Sequence, residues 1–96
     1  MIHAPRVSDQ QLAEAKMWLR GGSSTATDAE ITQTYQAALI DLQAHGITQN
    51  DPSNALIKQA IKWYCKGNYG YHKDAEKFRT AYEKLRDSLS LSGDFT

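Results

Sequence analysis

Lys58, Lys62 and Lys66 recur at four-residue intervals, and no Asp or Glu occurs between Pro52 and Lys73. On a helix, where each residue turns by about 100°, the three ammonium groups share one side. Such a row can contact nucleic-acid phosphates, which gives affinity without sequence reading. Equally, it can be a solvated helix face. Base discrimination would need a tight turn before a helix that points Arg, Asn or Gln at the bases. The loop from Ile47 to Asp51 has a suitable length, but the helix after it is too apolar and its polar side too rich in lysine.

The remaining reactive residues do not assemble into a catalytic set. His3, His45 and His72 are the only histidines, and none pairs with another at helical spacing. A zinc site requires three or four ligands at short, recognisable intervals. His45 falls at a predicted helix end, where an imidazolium complements the dipole. Cys65 is the single cysteine. It lies late in a helix, near the boundary of the apolar side, without the helix N-terminus or base that activates a thiol. Gly67-Asn68-Tyr69-Gly70 follows a helix, whereas phosphate cradles join a strand to a helix start. No enzyme, metal or cofactor is expected.

The element that positions the lysines should run from Pro52 to near Gly67 or Tyr69, with Asp51 as its cap and Pro52 in its first turn. Leu56, Ile57, Ala60, Ile61, Trp63 and Tyr64 fall in the arc opposite the lysines, so this helix needs neighbours to bury it. Ser8-Asp9-Gln10-Gln11 is a capping box that opens a first helix carrying Leu12, Ala15, Lys16 and Leu19, with Trp18 alongside. Gly21 to Thr27 reads as a connector. Thr27 or Asp28 caps a second helix carrying Ile31, Tyr35, Ala38, Leu39 and Leu42, which Gly46 stops, leaving Ile47 to fold back onto the core. Asp74 caps a fourth helix with Ala75, Phe78, Tyr82, Leu85 and Leu89 on one face, while Glu83, Arg86 and Asp87 read as ordinary surface charges. Trp63, Tyr64, Phe78 and Tyr82 read as packing, and Tyr69 and Tyr71 around Gly70 as an exposed aromatic turn.

The expected fold is therefore all-α, a small bundle of four helices in one domain. Residues 1–7 form an extended N-terminal arm, 8–88 the helical core and 89–96 a C-terminal tail. At 96 residues the chain supports a single modest core. The 11 basic and 11 acidic side chains cancel, so no bulk field draws the chain to nucleic acid or membrane. The charge is uneven, however. Residues 1–51 carry three basic and six acidic side chains, and residues 52–96 carry eight and five. A chain polarised in this way can associate head to tail. Without a signal-peptide core or an apolar run near the ~20 residues of a membrane span, a soluble, cytoplasmic chain is expected.

The chain resembles the small head-tail connector proteins, also called head-completion or adaptor proteins, of long-tailed bacteriophages. The resemblance lies in Trp18-Leu19-Arg20 closing the first helix, in the run from Ala55 to Gly70, and in the ending Leu89-Ser90-Leu91-Ser92-Gly93-Asp94. It covers nearly the full chain. The loop at Gly21 to Thr27 departs from the pattern, since the family's loop is often acidic and shorter. The resemblance implies a structural virion protein that assembles in the host cytoplasm and forms a ring of about twelve copies at the head-tail junction. That ring lies beneath the portal protein, extends the DNA channel and receives a stopper or tail-completion protein. On that reading Leu89, Leu91 and Phe95 dock on the portal. Lys58, Lys62 and Lys66 face the channel, where they contact genomic DNA nonspecifically, or a neighbouring subunit. Truncation after Ser88 should then leave a folded domain that no longer enters particles. The alternative is a free helical DNA-binding or regulatory domain that uses the same lysines.

Overall fold

Local hydrogen bonds at the helix ends account for most of the chain's punctuation. The computed structural model describes residues 6–19, 27–68 and 74–96. The Gly21–Thr27 connector apart from Thr27, Met1 to Pro5 of the arm with His3, and the aromatic turn with Tyr69, Tyr71 and His72 lie outside the described residues. Helix α1 spans Asp9–Leu19, α2 Asp28–Ala44, α3 Ala55–Asn68 and α4 Ala75–Ser90. The fold is a small all-α one, with no strand among the described residues.

At the head of α1 the capping box forms as the sequence predicts. The Gln11 N–H donates to Ser8 Oγ at 3.1 Å, and the Ser8 N–H donates to Gln11 Oε1 at 2.9 Å. Thr27 caps α2, accepting from the Glu30 N–H at 3.2 Å. At the other end of α2, Gly46 takes φ 81°, the left-handed conformation that favours glycine. The Gly46 N–H donates to the Gln43 carbonyl and the Ile47 N–H to that of Leu42, each at 3.0 Å, which completes a Schellman motif. Ile47 is thereby delivered into the core, fully buried.

The start of α3 differs from the sequence expectation. Asp51 to Asn54 form a turn in which the Ser53 N–H donates to Asp51 Oδ1 and the Asn54 N–H to the Asp51 carbonyl. Asp at the first position of a turn and Pro at the second suit this geometry as well as they suit a helix start. Asn54 is the actual cap: its Oδ1 accepts from the Leu56 N–H at 2.9 Å and its carbonyl from the Lys58 N–H at 2.9 Å.

The core joins all four helices. Ala15 and Leu19 from α1, Ile31, Tyr35, Ala38, Leu39 and Leu42 from α2, Ile57, Ala60, Ile61 and Cys65 from α3, and Tyr82 and Leu89 from α4 are buried together. Trp18 stacks on Tyr35 with ring centroids 6.3 Å apart, and Tyr64 meets Tyr82 edge to face at 5.1 Å. The radius of gyration, 12.7 Å, matches the ~12.5 Å expected of a folded chain this long, so the helices close into one body. Helices α3 and α4 come close at Gly67, which is buried inside α3 rather than ending it.

The C-terminal residues also depart from the sequence expectation. Helix α4 continues to Ser90, so Leu89 belongs to its buried stripe and not to a tail. The remaining C-terminal residues fold back onto the loop after α2: the Gln49 N–H donates to the Phe95 carbonyl at 2.9 Å, and Thr48 Oγ1 to that of Thr96 at 3.3 Å.

Candidate functional site

Helix α3 is the element on which the candidate sites converge. Its buried stripe is Ile57, Ala60, Ile61 and Cys65. The buried stripe is centred nearer Cys65 than the apolar arc suggests. Leu56 is consequently 49% exposed, and Trp63 and Tyr64 are only partly covered. Cys65, expected near the boundary, has no exposed surface, and burial pushes its thiol up to about 12. It is a core residue.

The three lysines do not form one free cationic face. Lys58 Nζ lies 3.0 Å from Glu14 Oε2 of α1, an ion pair supplied from outside the lysine-bearing segment. Lys66 Nζ sits 5.1 Å from the centroid of the Phe78 ring on α4. Its pKa is lowered, chiefly by burial and further by the neighbouring charge of Lys62. Each of the three side chains is partly covered. The row that looked uniform in sequence is divided into three different environments.

The C-terminal docking set also divides. Leu89 is 3% exposed and is committed to the core, so it cannot present a docking surface. Phe95 is half-buried and packs against the core. Only Leu91, at 88% exposed, is available to a partner. A shallow, polar groove lies beside this segment, lined by Gln49, Asp51, Ser53, Asn54, Asp94 and Phe95. The carboxyl of Asp51 is held below its usual range by hydrogen bonds from Ser53.

A polar network between α2 and α4 was missed in the sequence. Tyr82 Oη donates to Asp41 Oδ2 at 2.5 Å, and Arg86 Nη1 reaches the same oxygen at 3.4 Å. Arg86 also bonds Asp87 and lies over the Tyr82 ring, 5.7 Å from its centroid. Arg86 is therefore not an ordinary surface charge: its side chain is 19% exposed and ties two helices together. Burial first, then the bond to Asp41, raises the Tyr82 pKa beyond the usual phenol range. His45 Nδ1 approaches the Asp41 carbonyl to 2.8 Å and must carry the proton of that bond. This arrangement satisfies the C-terminal end of α2 and fixes α4 upon it.

Among the described residues, no group of three His, Cys, Asp or Glu side chains is placed to hold a metal ion. Among the same residues, no helix is long and apolar enough to cross a membrane. Comparison of the chain with protein-family models, with curated proteins and with solved structures finds no match.

Proposed function

We propose that the chain is a structural subunit of a head-tail connector, forming a ring between the portal and the stopper or tail of a long-tailed bacteriophage. The observation that carries this reading is the run from Ala55 to Gly70 with the ending from Leu89 to Asp94, which together resemble that family. The surfaces of the folded chain support it. Exposed Leu56, Met17 and Leu91 stand on a domain whose polar network is structural, a pattern suited to contacts with other proteins rather than to turnover. Leu91, beside a C-terminus that is already folded down, is the residue for the portal. The unequal charge of the two halves of the chain suits a subunit with different neighbours on its opposite sides.

Free DNA binding draws less support, because Lys58 is neutralised by Glu14 and Lys66 is partly covered against Phe78. The direct test is electron cryo-microscopy of the neck of particles made by the virus that encodes the chain. Density for this four-helix subunit is expected as a ring against the portal. Intact necks without it would refute the connector reading.

A further inference from the structure

We propose that neighbouring copies of this chain join through two unlike faces, the outward side of α2 on one copy and the outward side of α3 on the next. The closure of such contacts into a ring rests on the connector reading above; the pairing of the faces rests on their chemistry. Helix α2 has 17 residues, yet its only charges are Asp28, Glu30 and Asp41. Opposite its buried stripe of Ile31, Tyr35, Ala38 and Leu42 lie Ala29, Gln33, Ala37, Ile40 and Ala44. A helix side turned to water ordinarily carries charge, as α4 does with Glu76, Lys77, Glu83, Lys84 and Asp87, all exposed. The outward side of α2 lacks that marking: its buried residues lie on the opposite side, and only its Gln33 and Ala37 edge borders a shallow groove shared with Tyr64 and Asn68 of α3.

The outward side of α3 has the complementary character. It carries exposed Leu56 with Gln59, Lys62 and the uncovered part of Trp63, Lys66 being turned against Phe78 of α4, and α3 contains no acidic residue. Leu56 and Trp63 supply the bulky apolar groups that the small side chains of α2 can accept. Lys62 supplies the cation for the acidic end of α2. Asp28 already holds Lys16 at 2.8 Å, whereas among the described residues Glu30 accepts only a 3.3 Å hydrogen bond from Thr27 Oγ1 on one oxygen, so Glu30 is the carboxylate that Lys62 meets. Lys58 takes no part, being tied to Glu14. Because the two faces differ, one contact leaves a free α2 face and a free α3 face at the ends of the pair. Such a heterologous contact continues to further copies until it closes.

The test is disulfide trapping in the full-length chain, with Gln33→Cys on α2 and Gln59→Cys on α3. The native Cys65 is buried and does not interfere. Mild oxidation of the double variant is expected to give a ladder extending beyond dimer on a non-reducing gel, while each single variant stays largely monomeric. Lys62→Glu should reduce the ladder about five-fold, and adding Glu30→Lys should restore it. A single-cysteine variant that dimerises as well as the double would overturn the proposal, since it would mean a like-with-like contact. So would a double variant that stays monomeric when the concentrated chain is oxidised. Oxidising assembled particles separates the two readings. A subunit present in the neck without this cross-link defeats the pairing and leaves the connector standing, whereas a ladder from the purified chain that is absent from necks does the reverse.

Discussion

Gly67→Ala tests the packing of α3 against α4 most sharply, because two known effects oppose each other there and the structure decides their balance. Inside a helix the change normally stabilises, by about 0.8–1.0 kcal/mol, since alanine loses less backbone freedom on folding. At this position a Cβ would stand 2.6 Å from Arg79 Cγ, 3.0 Å from Arg79 N and 3.3 Å from the Ala75 carbonyl oxygen. Two of those three atoms belong to the backbone of α4 and cannot rotate away, so the helices must part. Overpacking of this kind costs about 1–3 kcal/mol, and contact with backbone places the cost in the upper half of that range. The expected result is a net loss of about 1–2 kcal/mol, or a fall of several degrees in Tm for a domain of this size.

Urea unfolding followed by circular dichroism and by the emission of Trp18 and Trp63 measures the change. Arg79→Ala provides the internal check, since it deletes Cγ and leaves the backbone nitrogen in place. In that background the penalty of Gly67→Ala should shrink without vanishing, and the difference is the coupling between the two sites. Gly93→Ala serves as the control, because nothing lies within 4 Å of a Cβ built there. A Gly67→Ala variant more stable than the parent would refute the close approach of the two helices.

Alkaline pH should destabilise the chain through Cys65, whose thiol burial pushes up to about 12 from an ordinary value of 9.0. Stability from this group is complete below the unfolded value and is lost as pH rises towards the folded one, with about 1 kcal/mol lost between pH 9 and 10. Cys65→Ala should lack that component, and equal pH slopes in the two proteins would count against it. Tyr82→Phe removes the donor to Asp41 and should cost about 1.5 kcal/mol by urea titration, with no loss predicting that Arg86 alone holds the carboxylate. Truncation after Ser88 deletes Leu89 and should cost about 2–5 kcal/mol, contrary to the sequence expectation of a folded remainder; truncation after Ser90 keeps Leu89 and should unfold cooperatively at a higher temperature by circular dichroism. Binding of the isolated chain to duplex DNA should depend on salt with a logarithmic slope no steeper than about −1.8, the value for two free cations rather than three. A slope near −2.7 would return Lys58 to the cationic face.

Three of the helix ends that are decided within a few residues follow from the sequence, whereas Asp74 at the head of α4 makes no side-chain cap bond. The Ser8 box, the Thr27 cap and the Gly46-Ile47 stop depend on partners three to five positions away, and each forms as its residue types require. The start of α3 is local too, but Asp51-Pro52 satisfies the rules for a turn and for a helix start, and only the reach of Asn54 to the Leu56 N–H chooses between them. Leu89 reads both as the end of the α4 stripe, in phase with Tyr82 and Leu85, and as the first residue of a tail; its burial decides for the helix. Arg86 and Lys58 were not legible. Their partners, Asp41 and Glu14, lie more than 40 residues away, and no helical spacing rule reports a pair made across the core.

The lysine row illustrates why periodicity assigns a side of a helix but not its chemistry. Four-residue spacing puts Lys58, Lys62 and Lys66 on one side, and that much holds. The electrostatics of that side are then set by what α1 and α4 bring to it: a carboxylate for Lys58 and an aromatic ring for Lys66. With one charge neutralised and another partly desolvated, the outward face of α3 owes less to cations than to exposed Leu56 and half-covered Trp63. Phosphate backbone rewards only the charge. A helix side without charges, flanked by one carboxylate at its end, rewards the charge and the apolar groups together, which is the reason to look for the partner of α3 in another copy of α2.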